Sequence, residues 1–525
     1  MPSKPHWSTQ FSLTPSDIDA LIADLLEGET PLPADVLARR VIELRLERDA
    51  QALADRYADL LAYDPTQTYK KGQTIAFQGE QLATGVVTAV ESGLDPAGFC
   101  GRSYGKFKRM TVDIDGETAT YAAGIAEGVV EPSVSDLLTA LPGAETMSLD
   151  DIMEVNGAKI LASVNEALQS NPTLVRLAGK WFVRDLMQDV TVGHLNLAEA
   201  VLDIAEGGPL TTAEILEQIG GLGDSPQELQ EFSLNYAMNE DERFDEVGPA
   251  GEVLWYLKRQ EPAEVREKPA LLRYTRIDYN RDLLTADMLA LEAEVDDELS
   301  PFDTVEDVDE ATVRLIYAHR RLGTIPLNSH TRAIFPTARR APRINVTLVD
   351  AHDGETYSGW VVNDEQYVYG AAEIYRKYHL PLGAQFTVHR SSTPGHIVIA
   401  VPTFRPRVEY VSLMSAKDDR LQFDLQTRHI GAKFDEQMIL GIDELAPIEA
   451  LAKSLTQQKK NLSTVLKLVI PALARLSPQG AAHAKTIYSA VNVLRRCPPG
   501  VVLATLEANR DFENVADHYW KLSDA

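Results

Sequence analysis

Basic side chains crowd one stretch of this sequence: His330, Arg332, Arg339, Arg340 and Arg343 fall within 328–343, and no acidic residue lies among them. Guanidinium groups are planar, bidentate donors that suit phosphate oxygens and the guanine edge. The chain as a whole has 78 acidic against 50 basic residues in 525, a formal charge of -28, so such an island needs a reason. A second group is Lys485, Arg495 and Arg496 in AAHAKTIYSAVNVLRR, where Ile487, Ala490, Val491 and Leu494 share one side. A helix with that outward face suits the major groove, although arginines there also complement a helix C-terminus. The third group interleaves Arg102, Lys106, Lys108 and Arg109 with Tyr104 and Phe107, a mixture that can stack on bases and neutralise phosphates.

Catalytic chemistry finds less support. Gly101-Arg102-Ser103-Tyr104-Gly105 matches the letters of a nucleophile elbow, but that turn needs a strand before it and a helix after it, and here the strand FKRMTVDI follows. A metal-dependent nuclease core needs a carboxylate two residues before a lysine, and no lysine of the chain has one. There is no GxxxxGK[ST], HExxH or GxGxxG. His379, His389 and His396 have no Cys or carboxylate at ligand spacing, and Cys100 and Cys497 form no CxxC pair. The expectation is a non-enzyme without cofactor or metal.

The elements that must hold the first island are short strands. Ile344, Val346 and Leu348 alternate with polar neighbours, as do Phe386 with Val388 and Ile397 with Ile399, the period of half-buried strands. Asp353-Gly354 supplies a turn, 371–378 a short helix, and Leu380-Pro381-Leu382-Gly383 its end. A proline-leading loop, a strand, an Asp-Gly turn, a Gly-Trp strand, a helix, Leu-Pro-Leu-Gly-Ala and a strand together resemble the DNA-binding pseudobarrel family of plant auxin-response factors and of some restriction-enzyme recognition domains. The resemblance spans about 80 residues and implies that the loop 328–343 enters the major groove.

Elsewhere the chain is modular. Helices fill 1–62, and short strands with Gly-rich turns fill 63–130, implying a small β-barrel. Three segments repeat an aromatic or aliphatic pattern closed by tryptophan: Leu174, Leu177 and Trp181; Phe244, Val247 and Trp255; Phe512, Val515 and Trp520. Amphipathic helices precede each, which predicts winged-helix-like modules at 131–192, 193–260 and 448–525. In the middle copy GPLTTAEIL, with Thr211 and Glu214 as a capping box, the Phe-Ser-Leu-Asn-Tyr helix and EDERFDEVG resemble the HARE-HTH winged-helix domain of the RNA polymerase delta subunit and its relatives. That likeness implies a place in transcription. The would-be recognition helix, 225–242, carries five acidic residues and no Lys or Arg, so protein contact suits it better than a phosphate backbone.

The segment 261–310 is strongly acidic and reads as one amphipathic helix plus a solvated connector, or more boldly as a nucleic-acid mimic. The region 311–447 holds the pseudobarrel-like part. The fold class expected is α+β and multidomain: winged-helix modules, a small β-barrel and a pseudobarrel-like domain. No run approaches a membrane span and MPSKPHWSTQFSL lacks an apolar signal core, so a soluble, cytoplasmic, bacterial protein is expected. The functional expectation is a DNA-interacting protein of the transcription or nucleoid apparatus, touching double-stranded DNA through the pseudobarrel loop and the last winged helix. Its acidic modules would bind protein, RNA polymerase being the candidate. The alternatives are a protein-binding scaffold or DNA mimic, and the recognition subunit of a defence or modification system.

Overall fold

The computed structural model describes residues 11–56, 61–77, 83–93, 106–125, 148–338, 341–417 and 420–523. The protein is a mixed α+β chain that divides into two compact units, 1–189 with 223–233 and 190–222 with 234–525.

In the first unit, helix Pro15–Gly28 opens on a capping box in which Thr14 and Asp17 bond each other reciprocally, with proline in the first turn. The strand Leu32–Pro33 leads into helix Ala34–Arg56, and a further helix, Leu149–Gln169, is capped in the same way by Ser148 and Asp151. Strands Leu174–Leu177 and Lys180–Val183 follow, and Leu32–Pro33 pairs with the second of them. Between the second and third helices lies a separate five-stranded sheet: Leu61–Ala62, Thr74–Phe77, Ala83–Ser92, Lys108–Ile114 and Glu117–Ala123. Ile75, Phe77, Val87, Met110 and Val112 fill its core. The helices before the β segment and the helix after it therefore share one sheet. The expected boundaries at 62 and 131 fall between the paired strands Leu32–Pro33 and Lys180–Val183.

The second unit repeats the order helix, strand, helix, helix, strand, strand twice. Its first copy has Val192–Ile204, Leu210–Thr211, Thr212–Ile219, Gln227–Glu240, Phe244–Glu246 and Leu254–Leu257; its third helix begins in residues counted with the first unit. The last copy has Leu462–Ala474, Ala482–His483, Ala484–Leu494, Pro499–Ala508, Phe512–Ala516 and Tyr519–Leu522. In all three copies the two-residue strand pairs with the final strand, and the tryptophan sits at the same register. Trp181 faces Leu32, Trp255 faces Leu210 and Trp520 faces Ala482. Each ring is buried, and the repeated sequence pattern marks the final strand of each of these three small sheets.

The ring N–H needs an acceptor when buried. Trp255 donates to Asn235 at 2.7 Å and Trp181 to Asn165 at 3.3 Å, both asparagines standing on their module's third helix. Among the described residues Trp520 has no such partner.

Between these copies lies a nearly closed, barrel-like sheet of seven strands. In sheet order they are Glu310–Arg314, Gln385–Arg390, His396–Ala400, Arg343–Asp350, Thr356–Val362, Tyr367–Tyr369 and Thr324–Pro326. Only the Arg343–Asp350 and His396–Ala400 neighbours run parallel. Helix Ala372–Lys377 packs Ile374 and Tyr375 into a core with Ile344, Val346, Leu348, Phe386 and Val388, so the alternating positions point inward. Gly354, at φ 76, makes the turn after Asp353.

After this sheet a long hairpin, Thr403–Lys417 with Arg420–Ala432, is joined by the short strand Leu440–Ile442. Met414, Phe423 and Leu421 pack with the C-terminal helices in the largest core. The acidic connector is buried in part, although 303–307, 309 and 310 are exposed. Helix Ala286–Glu294 buries Met288, Leu291 and Glu292, and Asp297, Glu298 and Ser300 beyond it are buried as well.

Candidate functional site

The residues singled out for DNA divide sharply by what surrounds them. Lys485 is buried and its ammonium lies between Glu294 and Asp435, 3.0 Å from the latter. Arg496, its side chain 2% exposed, reaches Asp297 at 2.9 Å and Glu298 at 2.8 Å. Arg495 donates to the Lys460 carbonyl at 2.8 Å. Their helix, Ala484–Leu494, is the second and not the third of its module, and ten of its residues are buried. A guanidinium or ammonium desolvated and paired inside the protein is poorly placed for a phosphate, which counts against a groove-facing role for Lys485 and Arg496.

The first island is also dispersed. Arg343 spends one nitrogen on Asp245 at 3.0 Å and on Glu261 at 2.6 Å. Burial and the nearby Asp245 push the Glu261 carboxyl up to about 8, although Arg343 opposes the shift. Arg332 donates to the carbonyls of Asn328 and Phe302, both at 3.1 Å, and His330 lies 2.9 Å from the Ser329 hydroxyl. Arg332 and Arg343 thus serve the chain's own backbone and carboxylates. Arg339 and Arg340 lie outside the described residues, as do Arg102 and Tyr104. In the five-stranded sheet Lys106, Lys108 and Arg109 are exposed, and Arg109 meets Glu91 at 2.7 Å.

Among the described residues, a buried ionic cluster gathers several titratable groups around Arg496. Besides Arg496, Glu298 meets His319 Nε2 at 3.0 Å, His319 Nδ1 meets the Thr324 hydroxyl at 2.8 Å, and Tyr488 donates to Asp297 at 2.6 Å. Burial alone would raise the Glu298 carboxyl, but Arg496 and His319 outweigh it and hold the group well below the carboxylate range. Burial keeps Asp297 raised even beside Arg496. All these groups are closed off from solvent, so the cluster can lock segments together but cannot exchange protons with a solute. Among the described residues no three His, Cys, Asp or Glu side chains stand where they could hold a metal ion. No described helix is long and apolar enough to cross a membrane.

Two surfaces of the second unit are left bare. On helix Val192–Ile204, Leu195, Ala198, Val201 and Leu202 turn to the core, while Leu197, Ala200 and Ile204 form a second apolar stripe facing out. Leu197 is 50% exposed and Ile204 82%. In the sequence this stripe is masked by the inward one, both lying at helical spacing. The signal was present in a helix apolar on two sides. The other surface is the outer half of the hairpin, with Val408, Tyr410 and Leu425 exposed together with Arg405, Arg407, Arg428 and His429.

The third helices, the elements that would lie in a groove, are electrically unsuited to it. Leu149–Gln169 has Lys159 against Asp150, Asp151, Glu154 and Glu166. Gln227–Glu240 has three glutamates and no base, and Pro499–Ala508 has Glu507 and no base. Compared with family models, curated proteins and solved structures, the chain finds no match.

Proposed function

We propose that the protein is a non-catalytic scaffold whose three helical modules, each of winged-helix type, bind other proteins and not DNA. The observation that carries this reading is the bare stripe of Leu197, Ala200 and Ile204 on the first helix of the middle module. Apolar side chains aligned on one face of a surface helix mark a place for a partner. The absence of net positive charge on all three third helices supports it from the other side, because duplex affinity draws mainly on phosphate neutralisation. The likeness of the middle module to the delta-subunit family makes RNA polymerase a candidate partner. Arg332 and Arg343, two of the basic residues of the loop 328–343, are committed to internal contacts, which lowers the support for that loop as a phosphate-binding surface.

A second reading, contact with duplex DNA, is favoured by the exposed Lys106, Lys108 and Arg109 on the five-stranded sheet. A titration of labelled duplex with the full chain at low and near-physiological salt separates the two. The scaffold reading expects no binding that persists at near-physiological salt. Tight binding whose salt slope falls when Lys106, Lys108 and Arg109 are replaced by alanine would establish the second reading in its place.

A further inference from the structure

The hairpin leaves a long edge open. Its strand Arg420–Ala432 has 13 residues and is outermost in its sheet, with Thr403–Lys417 on one side and no strand on the other among the described residues. Residues 424–429 are all exposed, so nothing described covers that edge over its middle. Unpaired N–H and C=O groups in such a row are a template for another strand, and proteins usually blunt a long edge with proline, a bulge or a covering loop. The one proline and the register shift of this hairpin lie on the other strand, at Pro406 and between Thr403 and Arg407.

The faces of the hairpin add a second observation. The pairs Met414 with Phe423 and Ala416 with Leu421 lie on one face and are packed with the C-terminal helices. Further along the same face come Ser412 with Leu425, Tyr410 with Thr427 and Val408 with His429. There Leu425 is 54% exposed, Tyr410 69% and Val408 56%. The apolar face is continuous but covered at one end only.

We propose that two copies of the chain associate through this edge, the strands Arg420–Ala432 pairing antiparallel about Gln426. Gln426 is the midpoint of the strand, so full overlap and two-fold symmetry give the same register. In it Arg428 of each copy stands directly opposite Asp424 of the other, and Leu425 opposite Thr427. Both charged side chains are exposed, and among the described residues neither has a hydrogen bond or ion pair of its own. Opposite charges directly across an antiparallel pair stabilise it and like charges oppose it. A slip by one or two residues removes both charge matches, and a slip by one also sets the apolar face of one copy against the other face of its mate. In the matched register Val408, Tyr410 and Leu425 of both copies line one side of a six-stranded sheet. This association is independent of the protein-binding stripe on Val192–Ile204.

Sedimentation velocity of the full chain over a wide concentration range tests it. A dimer is expected, lost in Arg428→Asp and in Asp424→Arg, and regained when the two changes are combined. Gln426→Cys, made with Cys100→Ser, is expected to give a disulfide-linked dimer under mild oxidation, because a residue opposite itself in an antiparallel pair has the Cα separation that a disulfide needs. Thr427→Cys in the same background is expected to cross-link far less. Circular dichroism matching the wild type keeps misfolding out of the comparison. A chain that stays monomeric, a dimer indifferent to both charge reversals, or cross-linking equal at 426 and 427 would overturn the proposal. So would duplex DNA bound by a monomer and lost in Arg428→Asp, which would assign the hairpin arginines to phosphate.

Discussion

Arg496 and Glu298 stand 2.8 Å apart, each side chain 2% exposed, although 198 residues separate them in the chain. Asp297 and Glu298, in the buried part of the acidic segment, are the counter-charge of Arg496 just beyond the helix Ala484–Leu494. Asp297, Tyr488 and Asn492 satisfy the remaining groups of the cluster. Removing one partner of such a pair leaves an unpaired buried charge, which costs about 3–5 kcal/mol. Arg496→Ala should therefore lower the urea midpoint of the second unit's unfolding steeply. Arg496→Met combined with Asp297→Asn and Glu298→Gln should recover much of that loss, a contrast that denaturant melts followed by tryptophan fluorescence can read.

His483 gives the fold a pH dependence on the acid side. Its Nδ1 accepts the Lys485 N–H at 3.2 Å as the N-cap of Ala484–Leu494, which requires a neutral ring. Burial, then the Lys485 cation and His518, depress its pKa to about 4, against the opposing pull of Asp435 and Glu294. A folded value below the unfolded one of about 6.5 means that the stability is complete above that pH and is lost as pH falls toward 4. His483→Asn keeps the acceptor and removes the titration. Thermal melts between those limits should show a decline for the wild type and a flatter profile for the variant.

The tryptophans should separate by their ring N–H. Trp255 gives its hydrogen bond to Asn235 inside the module, whereas Trp520 has no acceptor among the described residues. Asn235→Ala leaves the Trp255 donor only the longer contact to the Thr212 hydroxyl, at 3.2 Å, and is expected to cost about 0.5–1.5 kcal/mol. An indole analogue without the N–H, incorporated at 520, should cost far less than the same analogue at 255. Equal losses in denaturant melts would remove the asymmetry that the structure implies.

Much of the architecture is legible from the residues. The period-two positions Ile344, Val346 and Leu348 place the seven-stranded core, Thr211 with Glu214 marks a helix start, and the three tryptophans mark the final strands of three small sheets. Long-range partnership is not legible in that way. Arg343 reads as part of a free cationic loop because its partners Asp245 and Glu261 come 98 and 82 residues earlier. Lys485 likewise finds Glu294 at a separation of 191. A charge count records that carboxylates are in excess but not which of them fold back onto which base. The inserted sheet in the first unit is hidden for the same reason, since the flanking helices are joined by long-range partnerships such as Leu32 with Trp181 and Arg39 with Asp150. By contrast, the outward stripe of Leu197, Ala200 and Ile204 was readable at helical spacing and simply competes with the inward one.

That stripe carries the central claim, and exposed positions can be changed with little cost to the fold, within about 0.5 kcal/mol at sites away from special contacts. The direct measurement is quantitative capture of proteins bound by the full chain in its native extract, comparing the wild type with Leu197→Glu/Ile204→Glu at matched thermal stability. The account predicts that one or more partners held stoichiometrically by the wild type are lost from the double variant. Unchanged recovery of every partner would contradict it.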